Sequence, residues 1–410
     1  MSADPTISAA KPASRPIAAV LPVIAVVVGV TSLISLFLAS WRPTMDYSDF
    51  AQDYVAAKAW GHGTDPYANT PDLIRRFEPG TVQALPDNHR DPHTPFQILL
   101  ARPFNAVPFR AAYATWLLLN AAALVASLFL VLRALSLNRA VSLSIALGSL
   151  ALPTVRLALA NGEPNAPALL LLVAGWLSLR RGDEARAGLA LGVATALRVF
   201  PILLVVPLLR KRAHRALWWQ LGTAAAVSVM TGLILGVHAA IRFVTSAAPG
   251  NFRYWRAAGH NLSLLGIPFR WLTSSHWFPH SIDAPPLADI IAIGLFIACV
   301  YAAARTPARA SNDVFWAAVP WAILASPLAW ADYLILLIPL ITLMLVRATP
   351  RMRALLVVPA AAVMIGRPYF VHVVNPIGVL RQALVLAIPL YGMLALAFLE
   401  WKPATRSPAG

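Results

Sequence analysis

The sequence contains little charge. Asp, Glu, Lys and Arg make up 12% of its 410 residues, whereas soluble domains average about 25%. Hydrophobic residues make up 59%, and the mean hydropathy is +0.67. A water-soluble enzyme of this length would have too little polar surface, and a disordered chain would need far more charge. The composition therefore predicts a polytopic membrane protein.

Cysteine is almost absent as well. Cys299 is the single cysteine and lies inside an apolar run, so a disulfide scaffold is excluded. The sequence also contains no HExxH, CxxC, Walker or GxGxxG motif, and therefore lends no support to a metal or nucleotide site. We expect no metal and no cofactor. A transferase with this sequence would need an activated donor that resides in the membrane.

Apolar runs of membrane-spanning length follow one another along the chain. The run 17–40 is about 36 Å long as a helix, enough to cross a bilayer. It is too long for the core of a signal peptide, so it is predicted to be an uncleaved first span. Further spans are predicted at about 111–132, 140–160, 165–179, 216–238, 286–304, 313–325, 330–346, 354–366 and 377–399.

The segment 187–209 departs from this pattern. It holds Arg198 and Pro201 near its middle and has clusters of Lys and Arg at both ends. A single crossing would place one of these clusters on the wrong side of the membrane. We predict a helix that breaks at Arg198 and returns to the side it came from, as a re-entrant pair. With about ten full crossings, the whole chain 1–410 is predicted to be one all-α integral-membrane domain.

Charge predicts the orientation. More than half of the 33 Lys and Arg residues fall in short loops and tails on one side, which is predicted to be the cytoplasm. Residues 1–16 are then a cytoplasmic tail, and 41–110 and 239–285 are outer loops whose helices lie in the membrane interface. Because the basic residues are scattered over several loops and line no single face, nucleic acid is not expected as a partner.

The first outer loop contains eight of the 17 acidic residues. Asp46, Asp49 and Asp53 are spaced i, i+3, i+7 and would share one face of a helix. A carboxylate held near a second one at the membrane surface has a raised proton affinity, which suits a general base for a hydroxyl. The alternative is that this segment is charged because it leaves the membrane for water.

Arg198 is a second candidate, because an arginine at membrane depth usually pairs with an anion or lines a polar cavity. Beside a helix break it suits a phosphate group, which a guanidinium binds with two donors. The alternative is a structural ion pair with Glu163 or Asp332. Arg156 and Arg381 also lie within predicted spans, but each can extend to the outer surface and is less informative.

Six short patterns occur in order along the chain. They are Asp49-Phe50 with Gly63-Thr64-Asp65-Pro66-Tyr67, Pro95-Phe96 through Trp116, Gly162-Glu163-Pro164-Asn165, Arg198-Val199-Phe200-Pro201, Asn261-Leu262-Ser263-Leu264-Leu265-Gly266 with Arg270, and Ser326-Pro327-Leu328-Ala329-Trp330. In this order they resemble the polyprenyl-phosphate-mannose-dependent mannosyltransferases, glycosyltransferase family 87 of the GT-C superfamily. The resemblance covers about residues 45–350.

The resemblance implies a GT-C-like transmembrane helix bundle in the bacterial inner membrane, with an active site facing outside the cytoplasm. It implies inverting transfer of a hexose, typically mannose, from polyprenyl phosphate to a hydroxyl of a lipid or glycan acceptor. The family's catalytic base falls on Asp49 and its phosphate-steadying Lys on Arg198, with Arg270 as a second donor-phosphate ligand. The residues expected to line the cavity or bind the acceptor are Asp53, Tyr54, Glu163, Asn165, Asn261, Ser263, Asp332 and Tyr333.

Three positions depart from the family pattern. Asp53 stands where the family usually has an aromatic residue, Glu163 where it has Gln, and Asp332 where a His often follows Trp330. Two other functions therefore stay open. One is a transporter or flippase for a lipid-linked saccharide, and the other is a catalytically degenerate family member.

Overall fold

The computed structural model describes residues 15–41, 49–79, 85–86, 88–275, 277, 283–305, 314–365 and 387–401. Within these ranges the chain forms nineteen α-helices and no β-strand. Asp46 and Arg381 lie outside the described residues. The helices are α1 (Arg15–Ala39), α2 (Asp49–Gly61), α3 (Thr70–Phe77), α4 (Pro95–Ala101), α5 (Phe109–Ala134), α6 (Arg139–Gly148), α7 (Pro153–Asn161), α8 (Asn165–Arg180), α9 (Glu184–Leu197), α10 (Val205–Arg210), α11 (His214–Leu235), α12 (Val237–Arg242), α13 (Ala248–Trp255), α14 (Gly266–Leu272), α15 (Pro285–Arg305), α16 (Val314–Leu324), α17 (Ile338–Arg347), α18 (Pro350–Ile365) and α19 (Ile388–Trp401).

Among the described helices, four are long and apolar enough to cross a membrane: α1, α5, α11 and α15. A fifth span arises if α6 and α7 form one bent crossing, and α8 and α16 are among the shorter apolar helices. The chain is therefore an all-α polytopic membrane protein, which confirms the predicted fold class. The count of ten crossings and the side of the membrane that each loop occupies stay predictions.

The predicted span 140–160 is bent. A short 3-10 turn follows α6, and α7 starts at Pro153 after a change of direction of 70°. Leu152 has the extended backbone that a residue before proline prefers (φ −63°, ψ 132°). Pro153 has no N–H to continue the hydrogen bonding of α6. The bend makes α7 a separate short helix, which ends at Asn161 beside the candidate site.

α9 packs closely on α11. Gly188 and Gly192 lie four residues apart on α9. A Cβ on Gly188 would lie 2.3 Å from the carbonyl oxygen of Ala216, and a Cβ on Gly192 would lie 2.5 Å from the Cβ of Thr223. Small residues at this spacing let two helices approach closely in a membrane. Any larger side chain at either position would push α9 away from α11.

The helix break predicted near Arg198 is present. α9 ends at Leu197, Arg198 has extended backbone (φ −134°, ψ 117°), and a 3-10 turn follows over Phe200–Leu204. The side chain of Gln220 on α11 donates to the carbonyl of Pro201 at 2.8 Å, which satisfies a backbone group near the break. Whether the chain returns to the same side of the membrane stays a prediction.

α2 lies inside the protein, although it carries the polar residues Asp49, Gln52 and Asp53. Phe50 is 1% exposed, and its ring stacks on Trp116 with centroids 5.3 Å apart. Gly162 packs directly on Phe50: a Cβ there would lie 2.8 Å from the Cβ of Phe50, and the backbone of Gly162 is left-handed (φ +71°), which favours glycine. This contact holds the start of α2, with Asp49, against the turn that carries Glu163.

Candidate active site

Asp49 is the first residue of α2 and is half-buried. One turn later, Gln52 Nε2 donates to Asp49 Oδ1 at 3.0 Å, and Gln52 Oε1 accepts from His89 Nε2 at 2.7 Å. An amide oxygen can only accept, so this contact assigns the ring proton of His89 to Nε2. Burial lowers the pKa of His89 to about 4, which keeps the ring neutral at pH 7. The neutral ring thus orients Gln52 to donate to Asp49.

Asp53, on the same helix, is the centre of a second group of contacts. His93 Nδ1 lies 2.9 Å from Asp53 Oδ1 and 3.0 Å from Asp91 Oδ1. Gln97 on α4 donates to Asp53 Oδ2 at 2.8 Å, and all four side chains are buried. Burial by itself lowers the pKa of His93, but Asp53 and Asp91 outweigh this and raise it well above the ordinary value. An imidazolium between two carboxylates is the state that these contacts favour.

Arg198 forms a buried ion pair with Glu163. Its guanidinium carbon lies 5.2 Å from the centroid of the Tyr333 ring, and Nη1 donates to the Tyr333 hydroxyl at 3.5 Å. Glu163 also approaches His93, with 3.6 Å between Oε1 and Nε2. The structural pair that the sequence left as an alternative for Arg198 is therefore present, and it connects Arg198 to the carboxylates around α2.

Asp332 is the last member of the buried polar site and belongs to the 3-10 turn Ala331–Leu337. Asn165, at the start of α8, donates to Asp332 Oδ2 at 2.5 Å. Asp332 also interacts electrostatically with Arg198 and Asp49. Four distant parts of the chain therefore meet here: the start of α2, the turn before α8, the break after α9 and the turn before α17.

Asp49 belongs to the same site as Arg198. Burial raises the pKa of Asp49 above its ordinary value, and attraction to His93 and to Arg198 opposes that rise. The hydrogen bond from Gln52 also lowers it, whereas Asp91 raises it further. A half-buried carboxylate with a raised pKa, near a buried guanidinium, is a suitable arrangement for accepting a proton beside an anion.

Comparison with known protein families supports a transferase with this arrangement. The sequence model of glycosyltransferase family 87 matches residues 92–329, which is more than half of the chain. The chain belongs to glycosyltransferase family 87. No curated protein matches the chain. The match confirms the predicted family and makes this protein a membrane glycosyltransferase, while its donor and its sugar stay predictions.

The matched range and the site of this glycosyltransferase coincide in part. His93, Glu163 and Arg198 lie inside residues 92–329, whereas Asp49 and Asp332 lie outside. The structure brings these groups together, because α2 packs on α4 and α5, which the match covers. The matched range therefore holds the cationic part of the site, and the preceding segment contributes the half-buried carboxylate.

Three predicted site residues of the glycosyltransferase make a separate set of contacts. Asn261 Oδ1 accepts from the backbone N–H of Ala329 at 3.0 Å, and Ser263 Oγ donates to the carbonyl of Ser326 at 2.5 Å. Arg270 donates to the carbonyl of Asn261, and burial lowers the pKa of Arg270 to about 10. These contacts hold the loop that leads into the turn with Asp332. The predicted roles of Asn261, Ser263 and Arg270 in binding donor or acceptor stay predictions.

Tyr54 also makes contacts with the loop before α5 and with α5 itself. Its hydroxyl donates to the carbonyl of Val107 at 2.8 Å, and its ring packs on Phe109 with centroids 5.3 Å apart. The side chain lies on α2 next to Asp53, but the hydroxyl bonds to the loop before α5. Its predicted role in acceptor binding stays a prediction.

Sequence reasoning did not single out His89, Asp91, His93, Gln52 and Gln97, although all five contact a predicted site residue or one another. The available signal was density: two of the nine histidines and an aspartate fall within five consecutive residues. A proline in this stretch excludes a regular helix, so the spacing of the histidines indicated no shared face. Folding places the loop that carries His89, Asp91 and His93 against α2.

Proposed function

We propose that this glycosyltransferase moves a hexose, mannose in the first instance, from polyprenyl phosphate to an acceptor hydroxyl on the outer side of the membrane. The transfer inverts the configuration at the anomeric carbon, and Asp49 is the general base. The observation that carries the proposal is the half-buried Asp49, with its raised pKa, in one buried site with Arg198. The acceptor is a lipid or glycan with a free hydroxyl.

The surroundings of Asp49 support its role as the base. A base works best when its pKa lies nearer the working pH than that of a free carboxylate, and burial raises the pKa of Asp49 in that direction. Gln52 donates to one carboxylate oxygen, Oδ1, which leaves Oδ2 for the acceptor hydroxyl. Asp49 is also the less buried carboxylate of α2, since Asp53 is 2% exposed.

Arg198 supports the binding of a phosphate. A guanidinium carries five N–H donors, and Glu163 and Tyr333 use the two terminal nitrogens. The Nε atom of Arg198 is buried and has no hydrogen-bond partner among the described residues. A buried donor without an acceptor is costly, and a phosphate oxygen would satisfy it with a charge-assisted hydrogen bond.

The reaction follows from these two groups. The acceptor hydroxyl gives its proton to Asp49 while its oxygen forms a bond to the anomeric carbon. The bond between that carbon and the phosphate oxygen breaks, and the electron pair leaves with the polyprenyl phosphate. Arg198 stabilises the charge that develops on this leaving group, as a fixed donor in a buried site. The acceptor oxygen attacks the anomeric carbon on the face opposite the leaving phosphate, which gives inversion.

The test is transfer from polyprenyl-phosphomannose to added glycan or lipid acceptors by the purified protein in reconstituted membranes. Asp49→Asn keeps the size and the Gln52 contact but removes the base, and we expect it to lower turnover by about 100-fold to 10,000-fold. Donor binding, measured by protection against thermal unfolding, should be retained. Asp72→Asn is the matched control, because Asp72 is an exposed carboxylate of the same outer segment.

Two results would contradict the proposal. Full turnover in Asp49→Asn would remove the base assignment. Movement of labelled lipid across the membrane without any glycosidic product in the wild type would favour a transporter of lipid-linked saccharides instead.

A further inference from the structure

A group of metal-ligand type lies beside the proposed base but is not used by the proposed reaction. Asp53 comes from α2, and Asp91 and His93 come from the loop before α4. One potential ligand atom from each lies within 4.8 Å of the other two. Asp53 and His93 are 40 residues apart in sequence, so no local motif announces the group. All three side chains are buried, with 2%, 0% and 5% of their surface exposed respectively.

Two buried acceptor atoms in this group have no partner among the described residues. One is Oδ2 of Asp91, and the other is Oε1 of Gln97, whose Nε2 donates to Asp53. A buried acceptor without a donor destabilises the fold, because it has lost its hydrogen bonds to water. A cation satisfies such oxygens directly or through its bound water, and carbonyl and carboxylate oxygens are its usual ligands. The unsatisfied atoms are therefore of the kind that a cation would use.

The charge balance points the same way. Asp49, Asp53, Asp91, Glu163 and Asp332 lie in or against one buried site. Arg198 and His93 are the cationic side chains that contact these carboxylates in the described part of the site. Five carboxylates against two cations leave an excess of negative charge away from water, which is strongly unfavourable unless protons or a further cation compensate. A lipid phosphate entering the site would add to this excess.

We propose that Asp53, Asp91 and His93 bind one divalent cation, with Gln97 supporting Asp53. Two carboxylates and one imidazole form a mixed oxygen and nitrogen set, which suits Mn²⁺ and, with higher affinity, Zn²⁺. Binding releases to the solvent the Nδ1 proton that His93 shares with the two carboxylates. The cation ties the loop before α4 to α2, one helical turn from Asp49, and it offsets part of the charge that surrounds the donor phosphate.

The experiment measures binding, so it does not depend on the proposed transfer reaction. The full-length protein, purified in detergent and stripped with EDTA, is titrated with Mn²⁺, and free Mn²⁺ is followed by electron paramagnetic resonance. We expect one saturable site per chain, which added Zn²⁺ displaces. Asp91→Asn and His93→Gln should each weaken binding by about tenfold or more, since even residues that support a ligand contribute that much. Gln97→Leu should weaken it less.

The control is His62→Gln, because His62 is an exposed histidine of the same outer segment. It should bind Mn²⁺ like the wild type. Thermal unfolding provides a second readout for variants of low stability: Mn²⁺ should raise the Tm of the wild type and of His62→Gln but not of Asp91→Asn.

The absence of saturable binding of Mn²⁺ or Zn²⁺ to the wild type overturns the proposal, as does binding that Asp91→Asn and His93→Gln leave unchanged. In either case His93 acts as the imidazolium between Asp53 and Asp91. The EDTA-treated wild type should then still transfer the sugar. Failure of the cation proposal is therefore distinguishable from failure of the proposed function.

Discussion

Two side-chain clusters meet at the short segment 326–333 and differ in their chemistry. The charged site around Asp49 and Arg198 consists of carboxylates and cationic side chains that are mostly buried. The aromatic cluster, which consists of Trp255, His260, Trp277 and Trp330, is half-buried. His260 and Trp330 stack with centroids 5.1 Å apart, and Trp255 meets Trp277 at 5.1 Å. Trp330 precedes Asp332 by two residues, so the two clusters are neighbours along the chain.

The difference concerns how strongly the members of each cluster depend on one another. In the charged site, removing one partner leaves an uncompensated charge away from water, so single substitutions have large effects. In the aromatic cluster each ring pair contributes about 0.5–1.5 kcal/mol beyond the area it buries, and the loss of one ring leaves no unpaired charge. We therefore expect the charged site to control the rate and the aromatic cluster to contribute mainly to stability.

The largest effect after loss of the base is expected at Arg198. Arg198→Gln should lower turnover by about 100-fold to 1,000-fold, since it removes a fixed donor from the developing phosphate charge. Arg198→Lys keeps the charge but loses the two-donor geometry, so it should retain more activity than the Gln variant. Initial rates in reconstituted membranes check this. Arg75→Gln, at an exposed arginine of α3, is the control and should behave like the wild type.

A double substitution separates the stabilising role of Arg198 from its role in transfer. Arg198→Gln leaves Glu163 buried without its ion-pair partner, which costs about 3–5 kcal/mol of the free energy of unfolding. Adding Glu163→Gln should restore most of the thermal stability but little of the turnover. Recovery of both would mean that Arg198 acts through folding alone.

The next effect is on the pH dependence of transfer. Asp49 must be ionised to accept a proton, and burial raises its pKa. The rate should therefore be constant at high pH and fall about tenfold per pH unit below that raised pKa. The fall should begin at a higher pH than the ordinary pKa of aspartate, 3.8, would give. A flat profile down to pH 4 would contradict the assignment.

Gln52→Leu sharpens this measurement. The hydrogen bond from Gln52 lowers the pKa of Asp49, so its loss should move the acidic limb of the rate profile to higher pH. Turnover at neutral pH should fall about tenfold or more, because one hydrogen bond to a charged group contributes about 1.5–3 kcal/mol. An unchanged limb together with reduced turnover would indicate a structural effect of Gln52.

The smallest effect on transfer is expected in the aromatic cluster. Trp277→Leu removes ring contacts with Tyr254, Trp255 and His260, and should lower the free energy of unfolding by about 1–3 kcal/mol. Turnover of the folded variant should stay within a few-fold of the wild type. A 100-fold loss of turnover without loss of stability would show that the aromatic cluster takes part in the reaction, and the contrast between the two clusters would fail.

Part of the site could be predicted from the sequence. Asp49 and Arg198 stand out because charge is rare in this chain and each lies beside an apolar span, where an ionised group is costly. The break after α9 follows from Pro201 and the basic clusters on both sides. The bend at Pro153 was missed, because the apolar run 140–160 continues through it and hydropathy does not register a missing N–H.

Composition and hydropathy by themselves determined that this chain is an all-α membrane protein, because a bilayer imposes the same length and apolarity on every span. The order of its short motifs was enough to indicate the family. Tertiary structure alone decided which polar side chains meet: His93 with Asp53, Glu163 with Arg198, and Asn165 with Asp332, which is 167 residues away. The physical reason is that the strength of an electrostatic contact depends on the distance between the two groups in space. No local sequence pattern encodes that distance.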